Sequence, residues 1–330
     1  MSLHLRFGQE DLLRCRFAIS PLWETQEAIR TLRRPDRHGY HLPWLRRIRD
    51  AARGLDLAPV WLLMPRRGHS PDFLGPPPIG PAATFDEEIA ALRATGPDEA
   101  LRGITQSLAC TPGAADTPLG RSLLAEPGRA VRELADLVEQ AWHVLVEPEW
   151  PRLRALLEAD VAHHSRRLAE VGLEGLLREL HPRVGWEPGT LTLTARASEH
   201  SRDLDGRGLV LLPSVFCWPD VVSGFDPPWQ PTVAYPARGV GALWSAPAAR
   251  APDALANLLG RGRADVLCAL AEPASTSALA HRLGRAPSSV SAHLAALRAT
   301  GLLSSRRHGH QVLYAQTPLG SALVTGDQGA

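Results

Sequence analysis

The stretch that decides the C-terminal fold runs from Thr276 to Gly301 and has the sequence TSALAHRLGRAPSSVSAHLAALRATG. A short amphipathic helix, a tight turn at Gly284 and a second helix follow one another in the order of a helix-turn-helix. Two strand-like runs come next, LLSSRRH and QVLYAQT, with Gly309-His310 as the turn between them. Helix, turn, helix and hairpin in this order predict a winged helix-turn-helix.

Within this stretch, the apolar positions and the residues of the second helix resemble the arsenic-repressor (ArsR/SmtB) family of winged-helix regulators. The matching residues are Leu279-Ala280, Leu283-Gly284, Ser288, Val290-Ser291, His293-Leu294, Leu297 and Gly301-Leu302. The resemblance covers residues 254–324 and implies a homodimeric DNA-binding regulator, often a repressor. The layout is similar to that of actinobacterial regulators in which an uncharacterised N-terminal domain precedes the winged helix.

The basic charge of the chain is concentrated where this motif lies. The 330 residues carry a formal net charge of +1, but residues 253–330 hold seven Arg against four acids, a net +3. The remaining residues hold 29 Arg against 31 acids, a net −2. A local basic excess on a helix-turn-helix is typical of a DNA-binding surface. We therefore expect a double-stranded DNA operator as partner.

Composition indicates an ordinary globular protein of the cytoplasm. Hydrophobic residues make up 44% and charged residues 22% of the chain. The four Cys stand singly without a C-x-x-C pair, which is typical of a reducing compartment. The first residues lack a signal-peptide pattern, and no apolar stretch approaches the ~18 residues of a membrane span, so no membrane partner is expected.

The composition and periodicity of successive segments predict two domains and an α+β fold. Residues 1–248 are expected to form a regulatory and dimerisation domain, mainly helical over 1–182 with a small β region of short strands over 183–245. Residues 249–330 are expected to form the C-terminal winged helix-turn-helix. The predicted helices cover residues 9–16, 21–34, 84–94, 97–109, 129–143 and 150–180, and the predicted strands cover 3–7, 190–194, 208–213 and 231–235. Ala246–Pro252 is a predicted linker, and Asp253 is predicted to cap a helix that runs toward Leu270.

The polar residues of the helix-turn-helix and of the hairpin tip are the candidate DNA contacts. Apolar residues of the second helix fall on one face, which leaves short hydroxyls and one Arg on the other face, and the hairpin tip is cationic. For Ser288 a capping role and a DNA contact are equally supported, whereas for Ser291 a contact is favoured. Pro287 and Ala292 depart from the family pattern, which often has a long polar side chain and a His there. The candidate contacts are Arg285, Ser288, Ser289, Ser291, His293, Arg298, Arg306, Arg307, His308 and His310.

Neither a metal centre nor an active site is predicted. Metal sensors of the family carry a Cys-x-Cys pair on the first helix of the motif, or acidic and His ligands on the last helix. The corresponding run 278–282 has no Cys, and residues 318–324 have no His, Asp or Glu. A chain without Lys cannot form a Walker motif, and no G-x-S-x-G occurs. We expect no cofactor, no metal and no enzymatic activity.

The tryptophans suggest a role for the N-terminal region. All nine Trp precede residue 245, and a domain rich in Trp has room for a cavity. Trp218 and Trp229, beside Pro-rich loops, are the candidate lining of a pocket for a small organic effector, with core packing as the alternative. Two other functions stay open: an enzyme with a DNA-binding tail, and a winged helix used for protein-protein contact.

Overall fold

The computed structural model divides the chain into two compact units. It describes residues 2–35, 38–65, 68–194, 200–224, 229–244, 251–270, 273–308 and 311–325, without the side chains of residues 242, 281, 308, 311 and 325. The first unit comprises Met1–Arg33 and Ile48–Arg238, and the second comprises Arg34–Arg47 and Gly239–Ala330. The chain therefore enters the second unit twice, first with a short segment from its first fifty residues and again with its C-terminal region.

The first unit is mainly helical. Its helices are α1 (Gln9–Leu13), α2 (Pro21–Arg33), α3 (Leu42–Ala52), α4 (Ala58–Leu63), α5 (Phe85–Arg93), α6 (Pro97–Ala109), α7 (Pro118–Ala125), α8 (Pro127–Ala141) and α9 (Trp150–Leu180). Of these, α3 begins in the second unit and ends in the first. Helix α9 is broken at Gly172, whose φ of 70° and ψ of 178° are not helical. Among the described helices, none combines the length and the hydropathy that crossing a membrane requires.

Two four-stranded sheets accompany these helices. Their strands are β1 (Ser2–Arg6), β2 (Arg16–Phe17), β3 (Val184–Glu187), β4 (Thr190–Thr194), β5 (His200–Asp203), β6 (Val210–Ser214), β7 (Val222–Gly224) and β8 (Thr232–Pro236). The first sheet has the order β3-β4-β1-β5, and the second has the order β2-β6-β8-β7. In the second sheet β2, β6 and β8 are parallel, and β7 runs antiparallel to β8. All five residues of β6 are buried, as expected for the inner strand of a parallel sheet.

The α+β fold class is confirmed, and so are several local predictions. Ser20 caps α2, since its Oγ accepts the N–H of Trp23 at 2.9 Å. Thr84 and Glu87 form the predicted capping box at the start of α5. The helix predicted over residues 9–16 is wrong in its last three residues, because α1 ends at Leu13 and Arg16 begins β2, whose partner β6 is too distant along the chain to leave a local signal.

Buried carboxylates hold helix α2 to its neighbours in the first unit. Glu24, only 1% exposed, accepts the N–H of Val215 with Oε1 and Oε2 at 3.0 and 3.1 Å. Glu88 of α5 accepts the N–H of Leu22 at 2.8 Å. Burial raises the pKa of Glu24 to about 8 and that of Glu88 to about 7, although their hydrogen bonds favour the charged forms. Glu24 is therefore mainly protonated at neutral pH.

We expect Glu24→Gln to stabilise the protein at high pH. Because the folded-state pKa lies above the ordinary 4.5, the stability contributed by Glu24 is complete below about pH 4.5 and is lost as the pH rises to about 8. Gln keeps the acceptor oxygen and cannot ionise, so its free energy of unfolding should exceed that of the wild type by roughly 2–5 kcal/mol at about pH 9 and by little at about pH 5. Urea unfolding followed by Trp fluorescence measures both values.

Glu158→Gln is the matched control for this variant. Glu158 is an exposed residue of α9 that pairs with Arg154 at 2.8 Å, so its replacement should leave the pH profile of the wild type unchanged. If the free energies of unfolding of Glu24→Gln and the wild type change in parallel with pH, the pKa of Glu24 is not raised by folding. Glu24 would then be ionised in the folded protein at neutral pH, contrary to this expectation.

The second unit has the elements of a winged helix-turn-helix. They are α10 (Val240–Leu243), α11 (Asp253–Leu259), α12 (Arg261–Cys268), β9 (Ala274–Ser275), α13 (Thr276–Arg282), α14 (Pro287–Ala299), β10 (Leu303–His308), β11 (Gln311–Gln316) and α15 (Pro318–Thr325). Strands β10 and β11 form the predicted hairpin, and β9 adds a third strand beside β11 that the sequence did not indicate. Residues of α12, α13, α14 and β10 share one core.

The helix predicted from Asp253 toward Leu270 is in fact two helices. Gly260, with a φ of +82°, separates α11 from α12, because this backbone conformation ends a helix and suits glycine. The N-cap of α11 is Pro252, so the predicted capping role of Asp253 is also wrong. Asp253 is the first helical residue and pairs with Arg261 at 2.7 Å. The predicted linker Ala246–Pro252 lies outside the described residues except for its last two.

An aromatic cluster joins the inserted segment Arg34–Arg47 to the C-terminal part of the second unit. Trp44 is fully buried and stacks on Trp244 with ring centroids 6.1 Å apart. Trp244 donates its Nε1–H to His41 Nδ1 at 2.8 Å, and the guanidinium of Arg47 lies 5.3 Å from the Trp244 ring centroid. The segment is therefore part of the core of this unit.

Tyr40, in the same segment, contacts the helix-turn-helix itself. Its ring packs against the winged-helix core, and its hydroxyl lies near the side chains of Ser275 and Ser277 at the start of α13. Ser275 also caps α13, since its Oγ accepts the N–H of Ala278 at 3.3 Å. A residue from the beginning of the chain thus helps to place the first helix of the DNA-binding motif.

Candidate nucleic-acid interface

The orientation of α14 follows from its apolar face. Val290 and Leu294 are 0% exposed and Leu297 is 2% exposed, and all three belong to the core shared with α12 and α13. These positions recur at three and four residues, so they lie on one side of the helix as predicted. The opposite side of α14 is therefore presented to solvent.

Two glycines set the angles at which the chain enters and leaves α14. Gly284 (φ +61°) and Gly301 (φ +75°) adopt the left-handed conformation that few other residues tolerate. After Gly284 the N–H of Arg285 bonds the carbonyl of Ala280 at 2.9 Å, and after Gly301 the N–H of Leu302 bonds the carbonyl of Leu297 at 3.0 Å. Both bonds have the six-residue span of a Schellman motif, which turns the chain sharply at the helix end.

Three serines and one histidine of α14 are candidate DNA contacts, and they differ in exposure. Ser288 and Ser291 are exposed on the outer face, whereas Ser289 and His293 are half-buried beside it. The helix has its N-cap at Ala286 and no side-chain capping hydrogen bond, so Ser288 is not the cap of α14. Of the two roles left open for Ser288 by the sequence, capping is thereby excluded.

The candidates nearest the turn contact helix α12. The guanidinium of Arg285 lies 2.9 Å from the carboxylate of Asp265. His293 packs against Gly262, where a Cβ would stand 2.6 Å from His293 Nε2 and 3.3 Å from Arg285 Nη1. The absence of a side chain at Gly262 makes room for both residues. Arg285 is thus half-buried and already paired.

The wing presents its arginines on opposite faces. Arg306 and Arg307 are both exposed, and their cross-strand partners are Leu313 and Val312. Successive residues of a strand point to opposite faces, so one guanidinium stem leaves each side of the hairpin. Arg298 at the end of α14 donates to Ser305 Oγ of β10 at 3.3 Å, which joins the helix to the wing. The side chain of His308, and His310 altogether, lie outside the described residues.

Sequence reasoning missed the residues that hold these candidates in place. Asp265, Gly262 and Ser305 are the partners of Arg285, His293 and Arg298, and they come from α12 and β10, outside the helix and turn that carry the candidates. Asp265 was visible in the sequence as an acidic residue. Its distance from Arg285 along the chain matches neither the spacing of a helix nor that of a strand, so nothing in the sequence paired the two. No local signal could therefore have identified these pairs.

The two tryptophans proposed for an effector pocket lie at opposite ends of the second sheet. Trp218 follows the carboxyl end of β6, whereas Trp229 precedes the amino end of β8. Because β6 and β8 are parallel and in register from Val210 with Thr232 onward, the two loops are separated by the length of the strands, about 13–17 Å. Both side chains are half-buried, and the structure does not bring them together.

A small cleft does occur in the second unit, beside the inserted segment. Tyr40, Trp244, Ser275 and Arg282 are among its lining residues. Its volume of about 10 Å³ has room for about one water molecule, which is too little for an organic effector. In the part of the chain that the structure describes, no three His, Cys, Asp or Glu side chains are grouped so that they could hold a metal ion.

These features define a winged helix-turn-helix protein of the DNA-binding class. Residues 261–305, from α12 into β10, match the family model described as bacterial regulatory protein, arsR family. This region is an ArsR-type helix-turn-helix, and the resemblance found in its sequence is confirmed. Residues 82–241 match a model described as a family of unknown function (DUF5937). Neither a curated protein nor a solved structure is significantly similar to the chain.

We expect Asp265→Asn to raise the affinity for duplex DNA. The substitution removes a negative charge from the motif and releases Arg285, which can then contact a phosphate. Affinity should rise about three- to tenfold at low salt, and the slope of log affinity against log salt should steepen by about one. Fluorescence anisotropy with a labelled duplex at several salt concentrations measures both effects.

Asp253→Asn provides the control, because it removes the same charge from α11, where the carboxylate pairs with Arg261. It should change the affinity much less. Adding Arg285→Ala to Asp265→Asn should cancel the gain, and a gain that survives in the double variant would rule out Arg285 as its source.

Proposed function

We propose that the protein is a transcriptional regulator that binds a double-stranded DNA operator as a homodimer in the cytoplasm. The arsR-family match over the helix-turn-helix supports DNA binding and transcriptional regulation. The observation that carries the proposal is the outer surface of α14 and the wing, where exposed serines adjoin exposed arginines on one motif. Serines at a helix N-terminus suit base edges and phosphates, and a cationic hairpin suits the minor groove.

Two exposed leucines support the homodimer. Leu258 on α11 is 67% exposed and Leu319 on α15 is 62% exposed, and the helices that carry them border one apolar cluster, to which they contribute Leu255 and Leu323. Exposed apolar side chains on outer helices are suited to a second copy of the chain, and a two-fold dimer matches a palindromic operator. Sedimentation equilibrium of the full chain, alone and with operator DNA, tests this stoichiometry.

Control of DNA binding is proposed to act through the first unit. An effector or partner that binds one arrangement of the two winged helices better than another shifts the population toward it and changes the operator affinity. The proposed effector is a small organic molecule, and Trp218 and Trp229 remain separate candidates for its contacts. Quenching of Trp fluorescence by a candidate effector, together with an equal coupling free energy measured from the DNA side, is the test.

The wing should contribute affinity without sequence preference. We expect Arg306→Ala and Arg307→Ala each to weaken binding to specific and random duplexes alike, and to lower the salt slope by about one. Arg154→Ala, which removes an exposed Arg of α9, is the control and should leave the salt slope unchanged. Anisotropy titrations on both kinds of duplex measure the effect.

Ser291→Ala should behave differently, with a loss of about 1 kcal/mol on the selected operator and less on random DNA. Equal losses on both would remove Ser291 from base recognition. If the full chain shows neither salt-dependent nor sequence-preferring binding, the winged helix serves protein contact and the proposed regulator is wrong. Turnover of a substrate by the first unit would instead identify an enzyme with a DNA-binding tail.

We further propose that the regulator is not a metal sensor of the usual kind for this family. The first helix of the motif has no Cys, and the run 318–324 in α15 has no His, Asp or Glu. Stoichiometric zinc, cadmium or arsenite should therefore leave operator affinity within about twofold. Tight metal binding in calorimetry, coupled to release of the operator, would contradict this.

A further inference from the structure

The long polar side chains in and around α14 are held within the unit. Residues 287–299 contain two of them, His293 and Arg298. His293 packs against Gly262, and Arg298 donates to Ser305 Oγ at 3.3 Å. Arg285 in the preceding turn pairs with Asp265 at 2.9 Å. Each of these long side chains therefore has a partner within the unit, and Arg298 is the one long side chain among the exposed residues of α14.

The outer face of α14 offers short groups instead. Ser288, Ser291, Ala292 and Ala295 are all exposed. At 3.6 residues per turn these four side chains lie within an arc of about 100°, opposite the buried face. Ser288, Ser291 and Ala292 lie in the N-terminal half of the helix, which is the part that contacts base edges in helix-turn-helix proteins, and Ala295 lies about one turn further along the same face. Short side chains let the helix approach the floor of the major groove closely.

Two independent observations direct this face toward DNA. The arsR-family match spans residues 261–305 and includes the whole of α14. The wing beside it carries exposed Arg306 and Arg307, and Arg298 and Ser305 join the helix to that strand. The exposed methyl groups of Ala292 and Ala295 thus belong to a surface whose charge and fold both suit a duplex.

We infer that α14 selects its operator through the C5-methyl groups of thymine, which Ala292 and Ala295 contact in the major groove. This inference rests on the proposed function. Thymine is the base that presents a methyl group there, and apolar contact with it is the base-specific interaction open to an alanine. Ser288 and Ser291 add hydroxyls that can donate to or accept from either kind of base pair. The preferred operator is therefore rich in thymine at the positions facing α14.

The test begins with an operator selected from random duplexes by the full chain. Each thymine of that operator is then replaced by deoxyuridine, which removes the C5-methyl group and keeps every hydrogen-bonding group. Each contacted methyl should contribute about fourfold in affinity, because a buried methylene-sized group is worth about that factor. Cytosine at the same position should bind more weakly still, and 5-methylcytosine, which restores the methyl group, should recover part of the loss.

Variants of the protein test the same contact from the other side. Ala292→Gly and Ala295→Gly each remove one alanine methyl group from the contact. Each variant should therefore bind the thymine operator with the same affinity as the operator that has uracil at the position its alanine contacts. Ala299→Gly, at the last residue of α14, also removes an exposed methyl group and should keep the preference for thymine. The ratio of affinities within one variant is unaffected by partial unfolding, because both operators meet the same folded fraction.

The outcomes separate this inference from the proposed function. If no uracil substitution changes the affinity while the selected operator is still preferred over random DNA, recognition by thymine methyl groups is wrong and the regulator stands. If the full chain prefers no duplex, the proposed function itself fails.

Discussion

The packing of one apolar face of α14 determines what the second unit presents to its partner. Val290, Leu294 and Leu297 lie in a core that α12 and α13 complete, so the helix cannot rotate without exposing them to water. Burial of three such side chains is worth several kcal/mol, about 1.5–3 kcal/mol for each. The outward position of Ser288 and Ser291, and of Ala292 and Ala295 beyond them, is a consequence of this packing.

The elements next to α14 then determine which of its polar side chains make contacts within the unit. Gly284 and Gly301 turn the chain at the ends of α13 and α14, and Gly262 leaves the space that His293 occupies. Asp265 holds Arg285, and Ser305 holds Arg298 near the wing. The long side chains of the motif are thereby stabilised within the unit, while the short ones face outward.

Both units take residues from the first fifty of the chain, although not the same ones. Tyr40 and Trp44 complete the core of the second unit, and α3 continues from that segment into residues of the first unit. The first unit in turn draws β1 and β2 from the start of the chain into its two sheets, where Glu24 of α2 anchors the loop after β6. Helix α3 thus connects residues of the first unit to the segment that carries Tyr40, and this segment packs on the core that contains α13.

The sequence by itself determined the winged helix, most helices of the first unit and the inward face of α14. These features depend on periodicity, capping residues and glycines, whose effects act within a few residues of the chain. The tertiary structure decided the rest: the strand at Arg16, the third strand of the wing, the insertion of Arg34–Arg47 and the pairing of Arg285 with Asp265. Each of these features joins residues that are far apart in the chain. Hydrogen bonds, apolar contacts and ion pairs between such residues form only after folding has brought them close together. For this reason the sequence could name the candidate arginines, whereas only the fold shows that Arg285 is half-buried beside Asp265 and that Arg306 and Arg307 are exposed on the wing.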